Sequence, residues 1–132
     1  MALELVTVDE ALDHLRADSV ADASWLATWI PIVSAQVAGW LKDWWRLYVP
    51  ELDSNGDPQT DSNGDHIPME DSNGFVLQPA VRGAVLIELA SMYRFREGEG
   101  KDNEVAQWHG YGYVLNKAST ALLAPLRKST VA

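Results

Sequence analysis

The chain has 132 residues and a formal net charge of −9, from 19 Asp and Glu against 10 Lys and Arg. That length suits one domain, and that charge excludes long-range attraction to free DNA or to an anionic membrane. Cysteine is absent, which excludes a disulfide framework and a thiolate zinc site. No apolar run approaches the roughly 18 residues of a spanning helix, and the opening Met1-Ala2-Leu3-Glu4 lacks the basic stretch of a signal peptide. The expectation is a soluble protein made in a cytoplasm.

Thr7-Val8-Asp9-Glu10 reads as a capping box, with Leu5 or Val6 placed for a hydrophobic staple. Ala11, Leu12 and Leu15 then form the buried stripe of a short helix ending near Arg16. A second helix is expected to start at Asp22 or Ser24 and to run to about Tyr48. Its apolar positions (Trp25, Leu26, Trp29, Ile30, Val33, Val37, Trp40, Leu41, Trp44, Trp45) step by threes and fours. Pro31 implies either a kink or a true start nearer Trp29. Five of the six tryptophans lie in this segment. They make either a tryptophan-rich core or, at Trp44 and Trp45 among others, contacts with a neighbouring subunit.

The middle of the chain stutters: Asp53-Ser54-Asn55-Gly56-Asp57, Asp61-Ser62-Asn63-Gly64-Asp65 and Asp71-Ser72-Asn73-Gly74. Asn-Gly is a strong hairpin signal. The expectation is one long, irregular β-hairpin over about 49–76, with 48–52 outgoing, 66–69 returning and the first two repeats at its tip. A calcium reading of these loops fails on spacing. Counting from Asp53 puts Pro58 where an EF-hand needs glycine, and counting from Asp61 puts His66 there. Asn and Asp bonding to their own turn backbone is the simpler account.

Pro79 suits the first turn of a third helix over about 78–96, with Val81, Val85, Leu86, Leu89, Met92 and Tyr93 facing inward. Gly98, Gly100 and Asn103 end it, and 98–112 reads as a glycine-rich loop anchored by aromatics such as Trp108. A last helix follows over about 113–124, with Pro125 stopping or kinking it and the C-terminal helical segment reaching about 127. Arg94, Arg96 and Lys101, with Lys117, Arg127 and Lys128, tilt the C-terminal half toward positive. They read either as solvated surface or as a contact for an acidic neighbour, such as the hairpin of an adjacent copy. His14, His66 and His109 are scattered, and no spacing forms a zinc motif, a phosphate loop or an acid–base pair. The fold class expected is mainly α, four helices with a β-hairpin inserted between the second and third.

The order of the pieces resembles the tailed-phage head–tail connector family related to the HK97 connector. Val6-Thr7-Val8-Asp9-Glu10-Ala11-Leu12-Asp13-His14-Leu15-Arg16 is similar to that family's opening. Leu77-Gln78-Pro79-Ala80-Val81-Arg82-Gly83-Ala84-Val85-Leu86 is similar to the start of its third helix, with Gln78 inserted. Ala90-Ser91-Met92-Tyr93 with Arg96-Glu97 resembles that helix's end, and Leu122-Leu123-Ala124-Pro125-Leu126-Arg127 resembles the closing motif. The resemblance spans about residues 5–127. It implies a non-catalytic virion subunit without cofactor or metal, a ring of about twelve copies beneath the portal protein. Such a ring meets a stopper or tail-completion protein and leaves a channel for genomic DNA. Interaction candidates are Trp44, Trp45, Asp57, Asp61, Asp65, Arg94, Arg96, Trp108, Arg127 and Lys128. Two rival readings are an interaction protein that forms no ring and a metal-dependent module built on His66, Asp57, Asp61 and Asp65. The hairpin and the 98–112 loop are both longer than the family pattern.

Overall fold

The capping box forms as its residues require. In a computed structural model describing residues 3–16, 22–95 and 115–127, Thr7 Oγ1 accepts from the Glu10 N–H at 3.1 Å. Glu10 Oε1 accepts from the Thr7 N–H at 2.9 Å, and α1 (Val8–Leu15) begins there. It ends at Arg16, whose backbone turns left-handed (φ 54°) and returns its N–H to Asp13. Leu5 and Val6, just ahead of the cap, are both buried.

Helix α2 (Ala23–Leu41) is shorter than its apolar run predicts. It stops at Leu41, and Trp44–Leu47 form a separate 3₁₀ turn. The reason is local: Lys42 takes a positive φ of 79°, which ends the α-helical ladder before the last two tryptophans of the segment. Pro31 lies eight residues inside the helix, not at its start, and gives up the one N–H that would have bonded the Ala27 carbonyl. The face that packs is Leu26, Ile30, Val33, Ser34, Val37 and Leu41. Ser34 is tolerated there because its hydroxyl accepts the Leu5 N–H at 3.0 Å.

The tryptophan-rich core is not found. Trp25, Trp29, Trp40 and Trp45 are half-buried and Trp44 is exposed. The interior is aliphatic: Leu26, Ile30, Val33, Val37 and Leu41 of α2 meet Val81, Val85 and Leu89 of α3 (Pro79–Phe95), with Leu123 closing one side. Indoles instead rim that core, where a large flat ring shields aliphatics and keeps one edge in water. The last helix, α4 (Lys117–Leu123), starts four residues later than its pattern suggests. Asn116 is its N-cap, and residues 113–114 lie outside the described segments. A 3₁₀ turn, Ala124–Leu126, follows and contains Pro125.

The insertion between α2 and α3 pairs 49–51 with 67–69 and carries the first two repeats beyond that pairing, as expected, and it branches where one unbranched hairpin was expected. A stem leaves the body where the Gln78 N–H meets the Leu47 carbonyl and the Val49 N–H meets the Val76 carbonyl. At a first junction three N–H to carbonyl bonds run in a ring, from Val49 to Val76 (2.8 Å), Val76 to Met69 (3.0 Å) and Met69 to Val49 (2.8 Å). One branch is a short hairpin, β1 (Glu70–Asp71) against β2 (Gly74–Phe75), tipped by the third repeat. The other branch runs outward through the Pro50–Pro68 pair to a second junction. There Glu51, Ile67 and Gln59 form the same ring, at 2.8, 2.9 and 2.8 Å. Two terminal arms leave it, closed by the Leu52–Pro58 and Thr60–His66 pairs and tipped by the first and second repeats. Pro50, Pro58 and Pro68 all sit in non-hydrogen-bonded pairs, where a strand has no use for their missing N–H.

Candidate interaction surface

The first two repeats build their tips the same way, and the third shares only the aspartate-to-asparagine contact. Asp53 Oδ1 accepts the N–H of Asn55 (2.8 Å) and of Asp57 (3.0 Å), and the Gly56 N–H returns to the Asp53 carbonyl at 3.1 Å. Asp61 repeats this with Asn63, Asp65 and Gly64 at 2.8, 3.1 and 3.1 Å. Asp71 does so with Asn73 at 2.8 Å. Gly56 and Gly64 both take φ of 84°, the left-handed position that closes a three-residue hairpin loop. These aspartates are thus occupied by their own turns. Among the described residues no group of three or more His, Asp or Glu is placed to hold a metal ion.

Seven carboxylates stand between residues 47 and 81 (Glu51, Asp53, Asp57, Asp61, Asp65, Glu70, Asp71), and no Lys or Arg does. The branched insertion therefore carries most of the chain's negative excess. Asp57 and Asp61 are exposed on the terminal arms, while Asp65 is half-buried. Leu52 (49 % exposed) and Ile67 (38 %) give these arms an apolar component.

Trp44 and Trp45 are neighbours with opposite fates. Trp44 is 53 % exposed and packs against Tyr48 and Phe75. Trp45 turns inward, with the His66 ring 4.3 Å from its centroid and the Arg46 guanidinium also at 4.3 Å. His66 thereby ties the second arm back to the 3₁₀ turn. Its place on a ring stack is the structural role that the metal-module reading had left open.

The basic candidates divide. Arg127 is committed to its own fold: its Nε donates to the Trp40 carbonyl at 3.0 Å and its guanidinium lies 4.3 Å over the Trp40 ring. Arg46 mirrors it, with Nη1 on the Leu126 carbonyl (3.0 Å) and Nε on Asp43 Oδ2 (2.8 Å). The two arginines clamp the C-terminal 3₁₀ turn to the end of α2 from both directions. Arg94 lies in the last turn of α3. Arg96, Trp108 and Lys128 lie outside the described residues, as do Lys101, His109 and the whole 98–112 loop.

Two groups went unrecognised in the sequence. Glu88 is buried in α3 and its Oε2 accepts three hydrogen bonds, from Asn116 N–H (2.9 Å), Asn116 Nδ2 (2.6 Å) and Ser119 Oγ (2.7 Å). One carboxylate thus holds the start of α4. Phe75, within the span expected to form the hairpin, completes the aromatic group around Trp44. Glu88 had a signal, since it falls at helical spacing among Val81, Ala84, Val85 and Leu89, all of them buried. Phe75 had none, because its ring neighbours, Trp44 and Tyr48, both come from the distant 3₁₀ turn and the residue that caps it.

No helix among the described residues is long and apolar enough to cross a membrane. Comparisons of the chain with protein-family models, curated proteins and solved structures return no match.

Proposed function

We propose that the chain is a non-catalytic head–tail connector subunit of a tailed-phage virion. It forms a ring beneath the portal, joins the head to a stopper or tail-completion protein, and leaves a channel for DNA. The observation that carries this reading is the coincidence of motif order with element order. The opening motif is α1 with its capping box, the Leu77–Leu86 motif is the entry to α3, and the closing motif is the end of α4 with its 3₁₀ turn. A β insertion stands between α2 and α3, where the resemblance implies one.

Surface chemistry adds support. Ile32 and Leu122, both 39 % exposed, leave apolar contact area on the helices, which suits a subunit flanked by two copies of itself. The acidic insertion suits a part that lies near DNA without adhering to it, because adhesion grows with the number of phosphates neutralised. A second reading, an interaction protein that forms no ring, shares the exposed aromatics and differs in assembly state.

Sedimentation velocity over a concentration series, followed by negative-stain microscopy of the chain mixed with its portal protein, separates the two. Rings on the portal are expected. A chain that stays monomeric at every concentration and leaves the portal bare overturns the connector reading.

A further inference from the structure

Trp44, Tyr48 and Phe75 touch one another pairwise. Ring centroids lie 6.1 Å apart for Trp44–Tyr48, 5.9 Å for Trp44–Phe75 and 5.1 Å for Tyr48–Phe75. Trp44 is 53 % and Phe75 43 % exposed, so two large ring faces meet water at the root of the third arm. Phe75 is the direct cross-strand partner of Glu70, which puts that carboxylate on the same face as the ring. Beside the rings opens a cleft of about 580 Å³, bounded by Tyr48 and Phe75, by Leu3, and by Glu4, Asp71 and Arg82. Arg82 pairs with Glu10 at 3.2 Å, and against that one guanidinium the cleft sets Glu4 and Asp71, with Glu70 adjoining.

We propose that this surface docks a cationic, partly apolar segment of a partner protein. A Lys or Arg of that segment lays its stem and charge over Trp44 and Phe75, facing Glu70, and an adjacent apolar side chain enters the cleft. Two independent features select this occupant. Aromatic faces are electronegative and attract ammonium and guanidinium groups. The surrounding insertion holds seven carboxylates and no Lys or Arg to compete for them. A nucleic acid would find rings for its bases, but its phosphates would meet only negative charge. The surface is complete within one chain, so it stands whether or not copies of the chain form a ring.

The test is selection of a random dodecapeptide library on the full chain, followed by titration of the selected peptides. Winners are expected to carry Lys or Arg next to an aromatic or aliphatic residue and to bind less tightly as salt is raised. Trp44→Ser and Phe75→Ser each weaken them about tenfold, the scale of a lost cation–ring contact with its apolar area. Glu70→Lys, which leaves the rings in place, weakens them similarly. Gln36→Ser, a change at an exposed position of α2 outside the cleft, leaves binding unchanged. Selection of neutral or acidic peptides overturns the proposal, as does binding that the Trp44, Phe75 and Glu70 variants leave intact. Self-association of the chain that Trp44→Ser and Phe75→Ser abolish also overturns it, because the occupant is then a second copy. A monomeric chain that still selects cationic peptides separates this proposal from the ring.

Discussion

Ser119 on α4 donates its hydroxyl to the Glu88 carboxylate on α3 at 2.7 Å, and both residues are buried. Because the two Asn116 donors converge on the same oxygen, Glu88 serves as a cap for α4 supplied by another helix. Asn116 makes no side-chain cap of its own. Glu88→Ala is expected to cost about 2–3 kcal/mol, since it strips the acceptor from two donors of half-buried Asn116 and leaves the buried Ser119 hydroxyl only the Ala84 carbonyl at 3.3 Å. Urea unfolding followed by circular dichroism measures the loss. Amide exchange places it, with the Asn116 N–H losing protection first.

Trp45 predicts an asymmetry between two truncations. Its indole Nε1 is buried without a hydrogen-bond partner, while the ring stacks on His66 and under Arg46. Trp45→Phe keeps a ring and removes an unsatisfied donor, so stability changes by less than about 1 kcal/mol. Trp45→Ala loses the stack and the clamp's platform and costs about 2 kcal/mol or more. Denaturant midpoints of the two variants, compared side by side, check the difference.

The arm tips are locally, not globally, stabilised. Asp53→Ala removes the acceptor of two backbone N–H groups, as does Asp61→Ala. Each change costs roughly 1 kcal/mol within its own arm. Amide exchange at Asn55 and Asp57, or at Asn63 and Asp65, is expected to accelerate several-fold. The thermal transition of the helices stays in place, because the tips bury little apolar surface. A shared drop in helix melting temperature counts against this separation.

Gly39 sits inside α2, and a Cβ built on it meets nothing within 4 Å. Gly39→Ala therefore gains helix propensity without a clash and stabilises the monomer by about 0.5–1 kcal/mol. A calorimetric melt reads the gain directly. If the same variant weakens the assembly proposed above, the bare backbone at Gly39 belongs to that contact.

The helices were legible because their signals are short-range. Thr7 and Glu10 are three residues apart, and the Val81, Val85, Leu89 stripe repeats within one helix face. The branched insertion was not legible as a branch. Asp-Ser-Asn-Gly announces a turn equally well at the end of one hairpin or of three. The choice between them lies in which carbonyls Val49, Glu51, Gln59, Ile67, Met69 and Val76 find, and those partners are up to 27 residues away. The three prolines were the neglected clue: residues 50, 58 and 68 mark strand positions without a ladder bond. The tryptophan segment misled for a physical reason. Indoles at helical spacing satisfy a core pattern as well as leucines do, yet only the aliphatics fill the interior. Of the aromatic surface, Trp44 was named in advance, and the partners Tyr48 and Phe75 became visible only when the stem closed.

Leu47 and Gln78 are bonded neighbours although thirty positions separate them. To the helices, then, the whole insertion is a single short splice. Each terminal arm likewise returns to the junction it left, so duplicating or excising a stretch such as 53–60 adds or removes one limb and keeps the trunk. A lineage carrying this fold can change its outline by copying a few codons, with the hydrophobic interior never asked to repack.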